Sequence, residues 1–201
     1  MTQGQVMWRV FMALGVLAGL AGQGMAEGTT RKGYEMPAYR VTASNGAREV
    51  REYGPRIVAE VTVEGDRRAA INAGFRVLAG YIFGGNQSGE KIAMTVPVDQ
   101  AERGGGLWTV YFTMPSQFTL ESLPKPDDTR IALRALPPAR MVVETFSGLP
   151  DSDDMAARAQ ALADWARGEG LTVTGGPVYS FYDAPWSLPW KRRNEVAFAL
   201  E

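Results

Sequence analysis

The chain has 201 residues, a formal net charge of −1 at pH 7, and neither histidine nor cysteine. The absence of histidine excludes His-based acid–base catalysis, Ser-His and Cys-His nucleophile pairs, and the commonest transition-metal ligand. A weakly acidic chain whose longest basic run is residues 191–193 is a poor candidate for binding nucleic acid. Because no disulfide can form, the core alone must stabilise the fold.

The first 26 residues have the pattern of a secretion signal. Arg9 supplies a positive charge, residues 10–22 are apolar, and Ala26 is the small residue expected before a cleavage site. This apolar run is too short to span a bilayer comfortably, which favours a cleaved signal over an uncleaved anchor. We therefore predict a periplasmic or secreted protein, cleaved near Ala26, with no membrane span in its mature form. A flexible polar leader is expected over residues 27–38, followed by one domain over residues 39–201.

The first half of this domain predicts strands, then a helix, then strands. Alternating or β-branched patterns indicate strands over residues 39–43, 49–53, 56–64, 91–98 and 107–114, with a hairpin loop at residues 103–106. Asp66 is the expected N-cap of a helix that runs to about Phe83. Gly74 and Gly80 lie inside this helix at a cost of about 1 kcal/mol each relative to alanine. Such glycines suggest close approach by a sheet or by a ligand, and the sheet is favoured.

The second half repeats this order of elements. Strands are predicted over residues 131–136 and 140–146, which are expected to pair with each other, and over residues 171–174, 178–182 and 195–200. A helix is predicted from Asp151 to about Arg167. Antiparallel strands joined by tight turns, with two helices, indicate an α+β fold in which a curved sheet or partly closed barrel is flanked by the helices.

The stretch from residue 179 to 195 is rich in aromatic residues, prolines and cations. Trp186 and Trp190 each follow a proline and precede the basic run, so a stiff loop is predicted. The two indoles either face a flat, apolar, anionic ligand or cap one end of the core. Composition favours the cap.

Several motifs in the right order resemble the SOUL heme-binding family. They cover roughly residues 39–200 and lie at residues 49–53, 57–61, 79–86, 92–98, 182–186 and 192–196. The resemblance implies a pseudo-twofold, distorted antiparallel barrel flanked by two helices, similar to bacterial effector-binding domains. It also implies binding of heme or another tetrapyrrole, without catalysis, by a protein that we expect to be a monomer.

The resemblance places the ligand groove along the first helix. Ile71, Phe75 and Leu78 would form its apolar wall, with Arg67 near the propionates, although such a stripe is also typical of a protein core. Some members are thought to use an axial histidine, which this chain lacks, so bound heme would need another ligand or none. A second set of candidates comprises Met94, Trp190 and Arg192. Met94 is a possible iron ligand, but its thioether suits core packing and that interpretation is favoured. The run from Arg192 to Glu195 is either a propionate clamp or a structural Arg–Glu network across the sheet, and the structural interpretation is favoured.

Two other functions remain open at this stage. The second hypothesis is a binding module for another apolar or amphipathic small molecule, which the absence of histidine and the kinship to effector-binding domains suggest. An enzyme acting on a tetrapyrrole is the third hypothesis and ranks last, because no catalytic set of acids and bases is visible in the sequence.

Overall fold

The computed structural model describes residues 30–149 and 151–201, so the predicted signal segment lies outside the described residues. The strands are Thr30–Arg31 (β1), Tyr34–Glu35 (β2), Tyr39–Asn45 (β3), Arg48–Tyr53 (β4), Arg56–Glu64 (β5), Val98–Gly104 (β6), Leu107–Thr113 (β7), Ala132–Leu136 (β8), Ala139–Phe146 (β9), Val173–Phe181 (β10) and Asn194–Leu200 (β11). Two helices, Arg67–Ile82 (α1) and Ser152–Gly168 (α2), complete the fold with a short 3₁₀ turn at Pro189–Lys191. The predicted α+β class is confirmed: strands β3 to β11 form one sheet of nine strands, paired antiparallel.

The sheet is built from two similar halves. Its strand order is β3-β4-β9-β11-β10-β6-β7-β5-β8. The units β5-α1-β6-β7 and β9-α2-β10-β11 have the same connectivity, and they meet where β6 pairs with β10. Strand β4, which precedes the first unit, pairs with β9 of the second, and β8, which precedes the second unit, pairs with β5 of the first. The halves therefore exchange their leading strands.

This exchange corrects one prediction from the sequence. Strands β8 and β9 were expected to pair with each other, but β8 lies at the sheet edge beside β5 while β9 lies between β4 and β11. Pro137 and Pro138 join the two strands. Two-residue hairpin turns need a positive φ at their first central residue, whereas proline fixes φ at about −65°, so this connection does not form such a turn and the chain crosses to the other half instead.

Helix α1 is held against β5 and β7 by a close backbone approach. Asp66 caps the helix by accepting a hydrogen bond from the Ala69 N–H at 2.9 Å, as predicted. A Cβ atom added at Gly74 would lie 2.8 Å from Cγ2 of Val110 on β7. The helix thus packs on the sheet at a distance that only glycine permits, which confirms the favoured explanation for Gly74.

The second helix begins on a similar cap. The Asp151 carboxylate accepts hydrogen bonds from the N–H groups of Asp153 and Asp154, both at 2.9 Å. Its buried face packs on β9, β10 and β11 and consists of Met155, Ala159, Leu162 and Ala166. Within residues 30–149 and 151–201, no helix is long and apolar enough to cross a membrane.

The segment before β6 is not the continuous strand predicted for residues 91–98. Its amides bond to separate parts of the fold: the Ile92 N–H donates to the Ile82 carbonyl and the Val96 N–H to the Glu35 carbonyl, both at 2.9 Å. Pro97 follows a cis peptide bond and offers no N–H to a ladder. Regular pairing therefore starts only at Val98.

The described part of the expected leader is folded onto the domain. Strands β1 and β2 form a small hairpin, and Met36 just after it is buried. Arg31 bonds to the Asp183 carboxylate at 3.1 Å, and Lys32 pairs with the other oxygen of the same group. The carboxylate is almost fully buried, which favours a fixed position for this hairpin.

A buried ion cluster joins β4 to β11. Arg51 and Glu195 are 1% and 2% exposed, and Nη1 of Arg51 lies 3.0 Å from Oε2 of Glu195. Glu195 also accepts hydrogen bonds from the Tyr182 hydroxyl at 2.8 Å and from Nη2 of Arg193 at 2.7 Å. Burial is the largest single influence and lowers the pKa of Arg51, but Glu195, Tyr53 and Glu49 together outweigh it and the pKa is raised. The structural Arg–Glu network that the sequence favoured is present, and Arg193 belongs to it.

We expect Gly74→Ala and Gly80→Ala to change stability in opposite directions. At Gly80 an added Cβ meets no atom within 4 Å, so alanine should raise the free energy of unfolding by up to about 1 kcal/mol through helix propensity. At Gly74 the clash of the added Cβ with Val110 should outweigh the gain in helix propensity and lower the free energy of unfolding. Urea denaturation of both variants measures this; a stabilised Gly74→Ala protein would contradict the close packing.

We expect Glu195→Gln to lower the free energy of unfolding by roughly 3–5 kcal/mol, because Arg51 would lose its buried counter-ion and keep only the more exposed Glu49. The matched control is Glu52→Gln, which breaks the exposed pair with Arg40 and should cost less than about 1 kcal/mol. Urea denaturation compares the two variants. Equal decreases in the free energy of unfolding would show that the buried pair stabilises the fold no more than the exposed pair does.

Candidate functional site

A cleft of about 950 Å³ opens beside the start of β5. Its walls come from the start of β5 and from four other parts of the chain: the segment after the β1–β2 hairpin, the irregular segment before β6, the end of β8, and the residues that follow β7. Three methionines line it, Met36, Met94 and Met114, together with Ile57, Phe118, Leu120 and Leu136. The polar side chains include Glu35, Arg56 and Glu121.

Local structure fixes each methionine in place. Met36 follows the hairpin that Asp183 anchors, and it is 6% exposed. Met94 lies in the segment that Ile92 and Val96 tie down through their amides. Met114 directly follows β7, and its N–H donates to the Ile57 carbonyl at 2.8 Å. Backbone hydrogen bonds and the Asp183 ion pair therefore hold the three methionine-bearing segments in position.

This lining suits a large, flat, apolar molecule. Thioethers are polarizable and adapt to aromatic surfaces, and a methionine sulfur is also an established heme iron ligand. The volume lies near the upper end of the range for small-molecule sites. The chain thus offers apolar walls and possible soft ligands without any histidine.

Arg56 is the one cation among the described residues that line the cleft. Its guanidinium carbon lies 5.1 Å from the centre of the Tyr53 ring. Its Nη1 atom is buried and has no hydrogen-bond partner in the described part of the chain. Arg56, which lines the cleft, therefore has one donor atom that forms no hydrogen bond with the described residues.

A second, much smaller cavity lies on the other side of Arg56. Besides Arg56 and Pro37, which line both cavities, it is lined by polar side chains that include Tyr53, Asp99, Tyr111, Ser180, Tyr182 and Glu195. The Ser180 hydroxyl donates to the Asp99 carboxylate at 2.5 Å. Burial raises the pKa of Asp99 to about 7, although the Ser180 hydrogen bond and the charge of Arg56 oppose this shift. Near neutral pH this carboxyl exchanges a proton inside the fold.

Of the residues proposed from the sequence, the structure places only Met94 in the cleft. Leu78 is fully buried in the core between α1 and the sheet, Ile71 packs against that core, and Phe75 is 37% exposed on the helix. Arg67 donates to the Gln100 side chain at 3.2 Å and lies over the Phe181 ring. The apolar stripe on α1 is thus largely a core-packing face.

In the loop between β10 and β11, residues 183–193 line neither cavity. Trp186 and Trp190 are 87% and 69% exposed, so the expectation that they cap the core is wrong. Arg192 bonds to the backbone of its own loop, donating to the carbonyls of Ser187 and Pro185. With its backbone satisfied in this way, the loop keeps its shape without burying either indole.

Sequence reasoning missed most of the cleft. Met36 lies in the expected leader, Arg56 at the start of a strand, and Met114 at the end of one. The available signal was weak: three methionines and one arginine sit at element ends rather than on periodic faces.

Comparison with known proteins agrees with the family expectation. The SOUL heme-binding protein family model matches residues 34–199. The chain is 30% identical to heme-binding protein 2 of Mus musculus and 29% identical to that of Homo sapiens, in each case over 86% of this chain and 89% of the relative. Among solved structures, the C-terminal domain of EcmrR has a TM-score of 0.61 at 15% identity, with 77% of this chain and 96% of that domain covered. A hydrolase from Listeria innocua has a TM-score of 0.55 at 17% identity, with 79% and 94% covered.

The two solved structures share the α+β fold of this chain. Because their sequence identity to the chain is low, the similarity concerns the fold alone. The family match extends over most of the chain. The chain belongs to the SOUL heme-binding protein family.

We expect Asp99 to make stability depend on pH. The unfolded chain loses this proton near pH 4, whereas the folded protein holds it until about pH 7. Since the folded state binds the extra proton in that interval, the Asp99 contribution to the free energy of unfolding should fall as the pH rises from 4 to 7. Urea denaturation at pH 5 and pH 8 tests this against Asp99→Asn. The wild-type protein should lose stability relative to the variant; a constant difference would contradict the raised pKa.

Proposed function

We propose that this protein binds heme or a related tetrapyrrole in the cleft lined by Met36, Met94 and Met114, and that it does so after export. The single observation that carries the proposal is this preformed apolar cleft with three thioethers, in a chain of the SOUL heme-binding family. Two curated relatives that cover most of the chain are named heme-binding proteins. Export is supported by the signal pattern of residues 1–26.

The residues present fit a tetrapyrrole. Ile57, Phe118 and Leu136 supply apolar wall, the thioethers supply soft contacts, and Arg56 supplies a cation for an anionic group. Binding is non-covalent, and a thioether or open coordination takes the place of an axial histidine. The role that follows is to hold or carry the ligand without converting it.

We expect the mature protein, residues 27–201, to bind hemin stoichiometrically with a saturable Soret band. Met94→Leu removes the sulfur at nearly constant volume and should shift the Soret position if Met94 contacts the iron, with an affinity loss of about tenfold. Met155→Leu is the matched control, because Met155 lies on the buried face of α2 and lines neither cavity. Absorbance titration measures all three proteins.

The titration tests both the role of Met94 as an iron contact and the identity of the bound molecule. A saturable band that is identical in the Met94→Leu protein would remove Met94 as an iron contact. A featureless, non-saturating response in the wild-type protein would reject heme as the ligand and direct the search to other apolar molecules.

A further inference from the structure

We propose that Arg56 is the anion-binding residue of this cleft and that its guanidinium pairs with a carboxylate of the ligand. The ligand would then be an amphipathic anion, with its carboxylate at the start of β5 and its apolar body along the methionines. This inference rests on the proposed function, which it deepens by naming the residue that orients the ligand.

The unused donor of Arg56 is the first observation. Its Nη1 atom is buried but donates to no acceptor within the described residues. A buried donor without an acceptor costs free energy, and a donor that carries charge costs more. A ligand carboxylate would supply the missing acceptor, and a bond of that type is among the strong ones because both partners are ionised.

The position of Arg56 is the second observation. Its backbone is paired with Leu136 of β8, and its side chain stacks over the Tyr53 ring. The guanidinium is thereby held where the cleft meets the smaller polar cavity. An arginine fixed in this way loses little freedom when it binds an anion.

The surrounding acids leave Arg56 available. Asp99 lies across the small cavity and interacts electrostatically with Arg56, but it hydrogen-bonds to Ser180. Glu35 in the cleft wall accepts the Ser116 N–H at 2.9 Å, and Glu121 is exposed. Neither glutamate forms an ion pair with the Arg56 guanidinium in the described structure, and both repel an anion placed elsewhere in the cleft. The carboxylate therefore has one favourable position.

The experiment separates the carboxylate from the iron by using metal-free protoporphyrin IX and its dimethyl ester. Fluorescence titration of the wild-type protein should show the diacid binding about tenfold or more tightly than the diester. Arg56→Met should bring the diacid down to the affinity of the diester, while the diester affinity stays unchanged and reports an intact cleft. Arg140→Met, an exposed arginine outside both cavities, should leave both affinities unchanged.

A simple carboxylate distinguishes failure of this inference from failure of the proposed function. Dodecanoate and its primary amide are titrated by calorimetry against the wild-type and Arg56→Met proteins. If porphyrins fail to bind but dodecanoate binds through Arg56, the tetrapyrrole proposal falls and the anion site stands. If the diacid binds the wild-type and Arg56→Met proteins equally, or if no carboxylate depends on Arg56, the anion site is overturned.

Discussion

The buried pair of Arg51 and Glu195 is the interaction on which the rest of the molecule depends. A charge removed from water must be compensated, so β4 and β11 are locked in one register on either side of β9. The cluster is connected to the β1–β2 hairpin through Arg193 and Asp183. The Arg193 side chain bonds to Glu195, and its backbone N–H donates to Asp183 at 2.7 Å. Asp183 in turn pairs with Arg31 of the hairpin. One wall of the cleft is therefore fixed by ionic contacts that begin deep inside the sheet.

The elements of this fold were largely predictable from sequence, but the site was not. Periodicity and capping located both helices and the strand Arg56–Glu64, because burial and capping act within each segment. They do not report which distant segments meet. Leu78 lies on an apolar stripe whether that stripe faces a ligand or a core, and only the packed structure assigns it to the core. Met36, Arg56 and Met114 lie on segments that are distant in sequence and converge only in the folded protein. A local sequence pattern cannot predict such a convergence.

The two cavities divide the chemistry of this surface. The larger one is mainly apolar and carries soft sulfur atoms, whereas the smaller one gathers tyrosines and acids around Asp99. Arg56 lies at the boundary and faces both environments. A ligand with an apolar body and an acidic end matches this division, which explains how selectivity can arise in a site without histidine or cysteine.

The exchanged leading strands have a consequence for the order in which the protein is made. Arg48 on β4 bonds to Glu144 on β9, a residue 96 positions later in the chain. As the polypeptide leaves the ribosome, β4 must wait for most of the domain to be synthesised, and β5 keeps an open edge until β8 emerges. Neither half can complete its own sheet until a strand of the other half has been made, so the nascent chain exposes unpaired strand edges during synthesis.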